Sequence, residues 1–551
     1  MSRRQFIICL VAVFLVSATA LSTRKPCRKL QAEYGYVCVC DDNYCDTLDV
    51  PEPNAKEYIL VTSSESGDRF SYKKGKLIKP KNVSKVYLEI DPSDEYQEIK
   101  GFGGGYTGAV TYLVDKISAN LRNCLYNSYF SQSSGMAYTR LRISIGGTDF
   151  DISPWAYNEY PQNDTKLSNF TKLDERDLMR NRQLKELAQI SGNKKVKYLA
   201  AAWSPPIWMK ANKKWYGLAN NQIFPEYYQT WANYHVRWLE LMQNDGMNIG
   251  AISTGNEPIV GKQNFLFEET MWNITKHAKW IAENLGPTIR NSKFSDIEIH
   301  GFDDSRKFVN DWVDEMQKVN PDAFDYLSAI QFHGYTDNST NPEILDEIQS
   351  KFSDKDIWYT EMCFGVKVAN PPIGGPRLGM WSRAEELIKI MFENFLHSTN
   401  GWYDWNLIVD EDGGPNNALG GLGVTDAPII LNKNLTVMYK QPMFYVLAHF
   451  SKFITPGSVR IDARLEGADQ SVVQYLAFKR PDKKIAVFLY NNSTQQAVDL
   501  NILDNPKKGI EITLNPKSLN TLIYSNGNVD TTTSAKQSGA TNIFIIPSIW
   551  S

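Results

Sequence analysis

Ala251-Ile-Ser-Thr-Gly-Asn256-Glu257-Pro258 and Asp356-Ile-Trp-Tyr-Thr-Glu361-Met-Cys363 are the two stretches on which the fold turns. Each is a short run of apolar and β-branched residues that ends in a glutamate. A strand buried on both faces reads as such a run, and in a barrel of parallel strands the carboxyl ends carry the reactive side chains. Two glutamates placed so would share one pocket, where one can give a proton and the other can attack or act as a base. Each glutamate taken singly could equally be solvated or paired with a basic neighbour.

Working outward from these runs, six more candidate strands alternate with helical patterns: Gln97–Gly101, Tyr138–Ile143, Val196–Ala202, Ile249–Thr254, Ile297–Gly301, Tyr326–Phe332, Asp356–Thr360 and Gly401–Trp405 make eight in all. The clearest helix carries Tyr227, Trp231, Tyr234, Trp238 and Leu241 at 4-3-4-3 spacing, opened by Pro225-Glu226 and closed by Asp245-Gly246. Eight strand-helix units predict a (β/α)8 TIM barrel over residues 97–454. A doubly wound sheet is the alternative, but no glycine-rich phosphate loop opens any of the helices. Residues 55–96 and 455–549 instead show short alternating segments such as Val83–Ile90, Val472–Phe478 and Ile485–Tyr490, which predict one accessory β-sandwich built from both flanks of the chain. The stretch from Gly527 to Gly539, rich in Ser, Thr, Asn and Gly, reads as flexible.

Composition limits the function. The 551 residues carry a net charge of −3, so nothing points to nucleic acid, and the 14 Trp and 28 Tyr could offer flat faces to sugar rings. Residues 1–22 read as a signal peptide: Arg3 and Arg4 precede the apolar run Phe6–Val16, too short to span a bilayer, followed by small residues. Cys27, Cys38, Cys40 and Cys45 crowd into residues 23–54, where an exported chain would form disulfides; four cysteines allow three pairings. Cys124 and Cys363 read as free and buried. Glycosylation sequons occur at Asn82, Asn163, Asn169, Asn273, Asn338, Asn434, Asn491 and Asn492, of which the last two overlap.

The strand ends together supply a constellation. Strand 4 offers Asn256 and Glu257, and strand 7 offers Glu361. Strand 2 offers Arg142 and, a few residues on, Asp149; strand 3 offers Trp203 and Trp208; strand 6 offers His333 and Tyr335; strand 8 offers Trp402, Asp404, Trp405 and Asn406. A carboxylate can grip two hydroxyls, an indole can stack on a sugar face, and an arginine can hold a neighbouring carboxylate ionised. Arg142 could also merely neutralise Asp149, His333 could be a satisfied structural histidine, and Trp203 or Trp402 could be core. It is the convergence of six strand ends that favours sugar chemistry over hydride or phosphoryl transfer.

Gly-Phe-Gly-Gly-Gly-Tyr-Thr-Gly (101–108), Trp203-Ser-Pro-Pro-Ile-Trp208, Gly255-Asn-Glu-Pro258, Glu361-Met-Cys363 and Gly401-Trp-Tyr-Asp-Trp-Asn406 follow one another as in the glucosylceramidase group of glycoside hydrolase family thirty, which the chain resembles to about residue 525. The start, Pro26-Cys27 through Cys45-Asp46, is similar too. The resemblance implies Glu257 as acid/base and Glu361 as nucleophile, with Asp149, Trp203, Asn256 and Trp405 binding glucose. His333 and Tyr335 would line the pocket near the nucleophile, and the disulfides would be Cys27–Cys38 and Cys40–Cys45, on a small three-stranded N-terminal sheet. It implies glucosylceramide as substrate, a lysosomal address, an acidic optimum, and a saposin-like activator at anionic membrane surfaces, with no metal or organic cofactor. Steryl glucosides, xylosides and 1,6-glucans are the rival substrates within the family, and a non-catalytic carbohydrate-binding protein is the rival outside it. Two segments depart from the family pattern: Val260–Phe267, and the loop after Asn406, where a sugar-binding asparagine expected past Gly-Gly-Pro-Asn416 has no clean counterpart.

Overall fold

The computed structural model describes residues 24–78, 85–217, 220–259, 267–366, 374–419, 423–505 and 508–525. The signal peptide, Asn82, most of the Val260–Phe267 loop and the stretch 527–539 lie outside the described residues. Eight parallel strands close a barrel, each beside its neighbour in sequence: β1 Gly101–Gly105, β2 Arg140–Ser144, β3 Lys197–Ala201, β4 Ala251–Ser253, β5 Glu298–Ser305, β6 Ala329–His333, β7 Asp356–Glu361 and β8 Gly401–Asn406. Seven fall on the expected runs. The helix expected after Pro225 spans Tyr228–Asn244 and buries Trp231, Tyr234 and Trp238, so that stripe is core packing. No helix among the described residues is long and apolar enough to cross a membrane.

The first strand differs from expectation. The sequence pattern places it at Gln97–Gly101, but Gln97 to Ile99 end a long strand, Tyr87–Ile99, of the accessory sheet, and the barrel strand is Gly101–Gly105. These glycines leave no room for a side chain. A Cβ on Gly103 would stand 2.1 Å from the Arg140 carbonyl oxygen, and one on Gly105 would stand 2.9 Å from the Trp405 ring. A strand made of glycine shows neither alternation nor β-branching, so periodicity cannot reveal it.

The flanks form one hydrogen-bonded sheet of nine strands drawn from residues 57–99 and 458–525. Its strand Lys484–Asn491 is buried on both faces: Ile485, Val487 and Leu489 enter the sandwich's own core, while Ala486, Phe488 and Tyr490 join the barrel's apolar cluster. Phe488 stacks on Phe450 at 4.9 Å and so fixes the sandwich against the barrel. The N-terminal hairpin 29–41 belongs to a five-stranded sheet, larger than the three strands expected, because it pairs with Val437–Lys440 and through it with 429–431 and 408–410. Asn491 is fully buried, its amide donating to the carbonyls of Gln496 and Leu514, so that sequon is inaccessible; Asn163, Asn169, Asn273, Asn338 and Asn434 are exposed.

Cys27 pairs with Cys38. The second expected bridge, Cys40–Cys45, is not formed: Cys45 bonds Cys124, 79 positions away, and Cys40 remains a thiol. The reason lies in packing. The turn at Asp41–Tyr44 carries Cys45 against helix Ala119–Phe130, while the Cys40 thiol turns inward and donates to Asp46 Oδ1 at 3.3 Å; burial pushes it up to about 12. The three sulfurs of Cys40, Cys45 and Cys124 lie within 4.8 Å of one another. A non-reducing peptide map should therefore find Cys45 joined to the Cys124 peptide, and Cys124→Ser should return Cys45 to Cys40. A Cys40–Cys45 bridge in the unaltered protein would contradict this assignment.

Candidate active site

The C-terminal ends of β2, β4, β5, β6 and β7 meet around two carboxyl groups. Glu361 ends β7, where Arg142 Nη1 from β2 bonds its Oε2 and Tyr335 Oη donates to its Oε1 at 2.8 Å. Glu257 follows β4 and meets His333 Nδ1 at 2.9 Å. One oxygen of each glutamate and a ring nitrogen of His333 all lie within 4.8 Å of one another. Arg142 also donates to Asn256 Oδ1 at 2.7 Å. Its partners are thus Glu361, Asn256 and Asp303, and the simpler reading, in which it neutralises Asp149, does not describe it.

Asp303 is the residue the sequence reading missed. It is fully buried, and four donors converge on it: Arg142 Nη2 at 3.0 Å and Ser253 Oγ at 2.6 Å on one oxygen, His333 Nε2 at 3.0 Å and Thr360 Oγ1 at 2.9 Å on the other. Burial alone would raise its pKa, but the Arg142 guanidinium and His333 hold it well below the usual carboxylate range. Burial would likewise lower His333, yet the charges of Glu361 and Asp303 and its bonds to Asp303 and Glu257 push it up to about 10. His333 is therefore a doubly protonated cation that donates from both ring nitrogens. Burial and the charge of Glu257 raise the Glu361 carboxyl above its ordinary value, against the pull of His333 and Arg142.

A bulge makes this possible. The β5–β6 register slips between Phe302 and Asp304, and Phe302 and Asp303 adopt φ of 76° and 57°. Glu257 itself stands at φ 43°. Left-handed conformations at residues with side chains cost about 1–3 kcal/mol each and persist only where the surroundings over-determine them. The next residue, Asp304, is also fully buried, and burial with the nearby charge of Glu257 pushes it up to about 8.

Aromatic walls complete the pocket. Trp203 and Trp405 stack at 5.6 Å with planes 28° apart, and the Arg142 guanidinium lies 4.9 and 5.4 Å from their ring centres. Asp149 lies on the loop after β2, partly exposed, its carboxyl raised well above the usual range by burial and then by the charges of Glu361 and Glu257. Asn417, from the long loop after β8, folds onto that segment: its backbone N donates to Asp149 O and its amide to Thr148 O, both at 2.8 Å. Arg142, Asp149, Trp203, Asn256, Glu257, His333, Tyr335, Glu361 and Trp405 thus sit in or just beyond the C-terminal parts of barrel strands. Trp402 does not join them; it stacks on Tyr359 at 3.8 Å inside the core.

Comparison with known proteins agrees with this geometry. Residues 99–454 match the glycosyl hydrolase family 30 TIM-barrel domain, and residues 457–522 match the family's beta sandwich domain. The lysosomal acid glucosylceramidase of Mus musculus is 31% identical over 516 residues, which is 92% of this chain and 97% of that protein. Among solved structures, SrfJ from Salmonella typhimurium superposes with a TM-score of 0.75 at 22% identity, covering 86% of this chain and all of SrfJ. The endo-beta1,6-glucanase BT3312 gives 0.73 at 22% identity, covering 86% of this chain and 100% of that one. At that identity the two structures speak for the fold alone; with the domain match over most of the chain, the protein belongs to glycosyl hydrolase family 30.

Proposed function

We propose that this chain is a retaining β-glucosidase that hydrolyses glucosylceramide, with Glu257 as acid/base and Glu361 as nucleophile. The observation that carries the reading is the closeness of the two carboxyl groups, one oxygen of each lying within 4.8 Å of the other. Retaining enzymes hold their carboxyls about 5–5.5 Å apart, whereas inverting enzymes need about 6.5–9.5 Å to admit a water. Arg142, His333 and Asp303 together bear one net positive charge, which suits one negative charge shared between the two glutamates. In the first step Glu361 attacks the anomeric carbon while Glu257 protonates the departing oxygen. Glu361 becomes a neutral ester and Glu257 takes over the negative charge. In the second step Glu257 removes a proton from water, which displaces Glu361. The cradle meets the same charge balance in both halves of the reaction. Tyr335, bonded to Glu361, can follow the oxygen that turns from carboxylate to ester.

The glucose ring would lie between Asp149 and the Trp203–Trp405 wall, with Asn256 addressing a hydroxyl next to the reacting carbon. The ceramide substrate rests on the similarity to the mouse glucosylceramidase over 92% of this chain. The N-terminal segment that reads as a signal peptide and the exposed sequons support passage through the secretory pathway; the lysosomal address, an anionic membrane surface and a saposin-like helper are what the family resemblance implies. Treatment with a 2-deoxy-2-fluoro-β-glucoside should leave a covalent adduct on the peptide holding Glu361. Glucosylceramide in anionic vesicles should then be preferred to steryl glucoside, xyloside and 1,6-glucan. An adduct elsewhere would remove the nucleophile assignment, and preference for a soluble glycan would move the substrate within the family.

A further inference from the structure

The turn that carries Glu257 has three backbone donors, because Pro258 has none. Asn256 N donates to Ala202 O at 2.9 Å, Glu257 N to Asp303 O at 2.9 Å, and Ile259 N to Asp304 Oδ2 at 2.7 Å. Only the last of these partners is a side chain. Asp304 is fully buried, and its other oxygen accepts from Ser305 N at 2.6 Å. Along a regular strand, consecutive side chains point to opposite faces. Here the bulge aims Asp303 into the barrel at Arg142 and His333, and Asp304 grips the turn beyond Glu257.

We propose that Asp304 is a positioning residue for proton donation: by holding Ile259 N it fixes the left-handed turn that brings the Glu257 carboxyl to His333 and to the departing oxygen. This inference rests on Glu257 being the acid/base, as argued above. Its particular consequence comes from where the two glutamates are anchored. Glu361 stands on β7 and is held by Arg142 and Tyr335, whereas the turn that carries Glu257 is held through Ile259 N by Asp304. Loosening the turn therefore displaces the proton donor and leaves the nucleophile in place. A misplaced acid matters for a basic leaving group and hardly at all for one that departs without a proton.

Asp304→Asn is the sharper variant. A carboxamide keeps the shape but has one accepting oxygen for two backbone donors, so either Ile259 N or Ser305 N loses its partner. For Asp304→Asn and Asp304→Ala, kcat/KM on glucosylceramide or an alkyl β-glucoside should fall by about 100-fold, the scale of a misplaced general acid, while 2,4-dinitrophenyl β-glucoside stays within about threefold. Rates are expressed per site that forms the fluoroglucosyl adduct, which discounts misfolded protein. Equal losses on both substrates, or no loss on either, would overturn the proposal. Glu257→Gln is run beside them. If it shows no dependence on the leaving group, the acid/base reading itself fails; if it shows the dependence and the Asp304 variants do not, only the role of Asp304 fails.

Discussion

Glu361→Gln should lower kcat by at least about 10⁴-fold on every β-glucoside, since loss of a covalent nucleophile leaves only binding and charge stabilisation. The substitution is mild structurally. The amide oxygen can still accept from Arg142 or Tyr335, and Asp303 and Asn256 remain for Arg142. What is lost is a charge that must form a bond. Glu257→Gln behaves differently, because it removes only proton transfer, worth about 10²–10⁴-fold. Azide separates the two further. With Glu257→Ala, azide should attack the glucosyl-enzyme from the face that water uses and give β-glucosyl azide. With Glu361→Ala, azide should occupy the vacated nucleophile position, attack from the opposite face, and give α-glucosyl azide. The anomer of the product, read by NMR, assigns each glutamate. The same anomer from both variants would contradict the division of roles.

Much of this site could be read in the sequence because strand ends leave a local trace. Asn256-Glu257, Glu361 and Trp405 each end an apolar run, and the runs alternate with helices at barrel spacing. What stayed hidden has no local trace. Asp303 follows a recognised strand, but an alternating pattern turns only one of two adjacent aspartates inward; the bulge that recruits both Asp303 and Asp304 depends on contacts with Arg142, His333 and Ile259, which are far off in sequence. The glycine strand 101–105 is fixed by the approach of Arg140 and Trp405 and shows no periodicity of its own. The Cys45–Cys124 bridge joins a turn to a helix that no spacing rule connects. Tertiary packing decided all three.

Asp303→Asn should be the most damaging change at a residue that never touches the sugar, lowering kcat/KM by about 10³-fold on good and poor leaving groups alike, within the range of electrostatic stabilisation lost from a closed site. Each Asp303 oxygen accepts from two donors, so an amide NH2 in place of either faces two donors, and the Arg142–Ser253 side or the His333–Thr360 side is broken. The charge of the cradle also rises from one to two, which no longer matches the single negative charge that the two glutamates share. Leaving a buried cation short of its partner costs about 3–5 kcal/mol of stability. The pH dependence of that cost follows from the signs of the shifts. The raised pKa of His333 contributes stability that is full below about 6.5, its unfolded value, and is lost as pH rises through about 10. The depressed pKa of Asp303 contributes stability that is full above about 3.9, its unfolded value, and is lost as pH falls through its much lower folded one. The difference in Tm between the unaltered protein and Asp303→Asn should therefore be widest between about pH 4 and 6.5 and narrow on either side. A difference that stays constant across pH would mean that Asp303 serves by packing alone. The window in which both contributions are full lies on the acidic side, so the network stabilises the fold most there; between about pH 6.5 and 10 His333 stays charged in the fold and only its advantage over the unfolded chain declines.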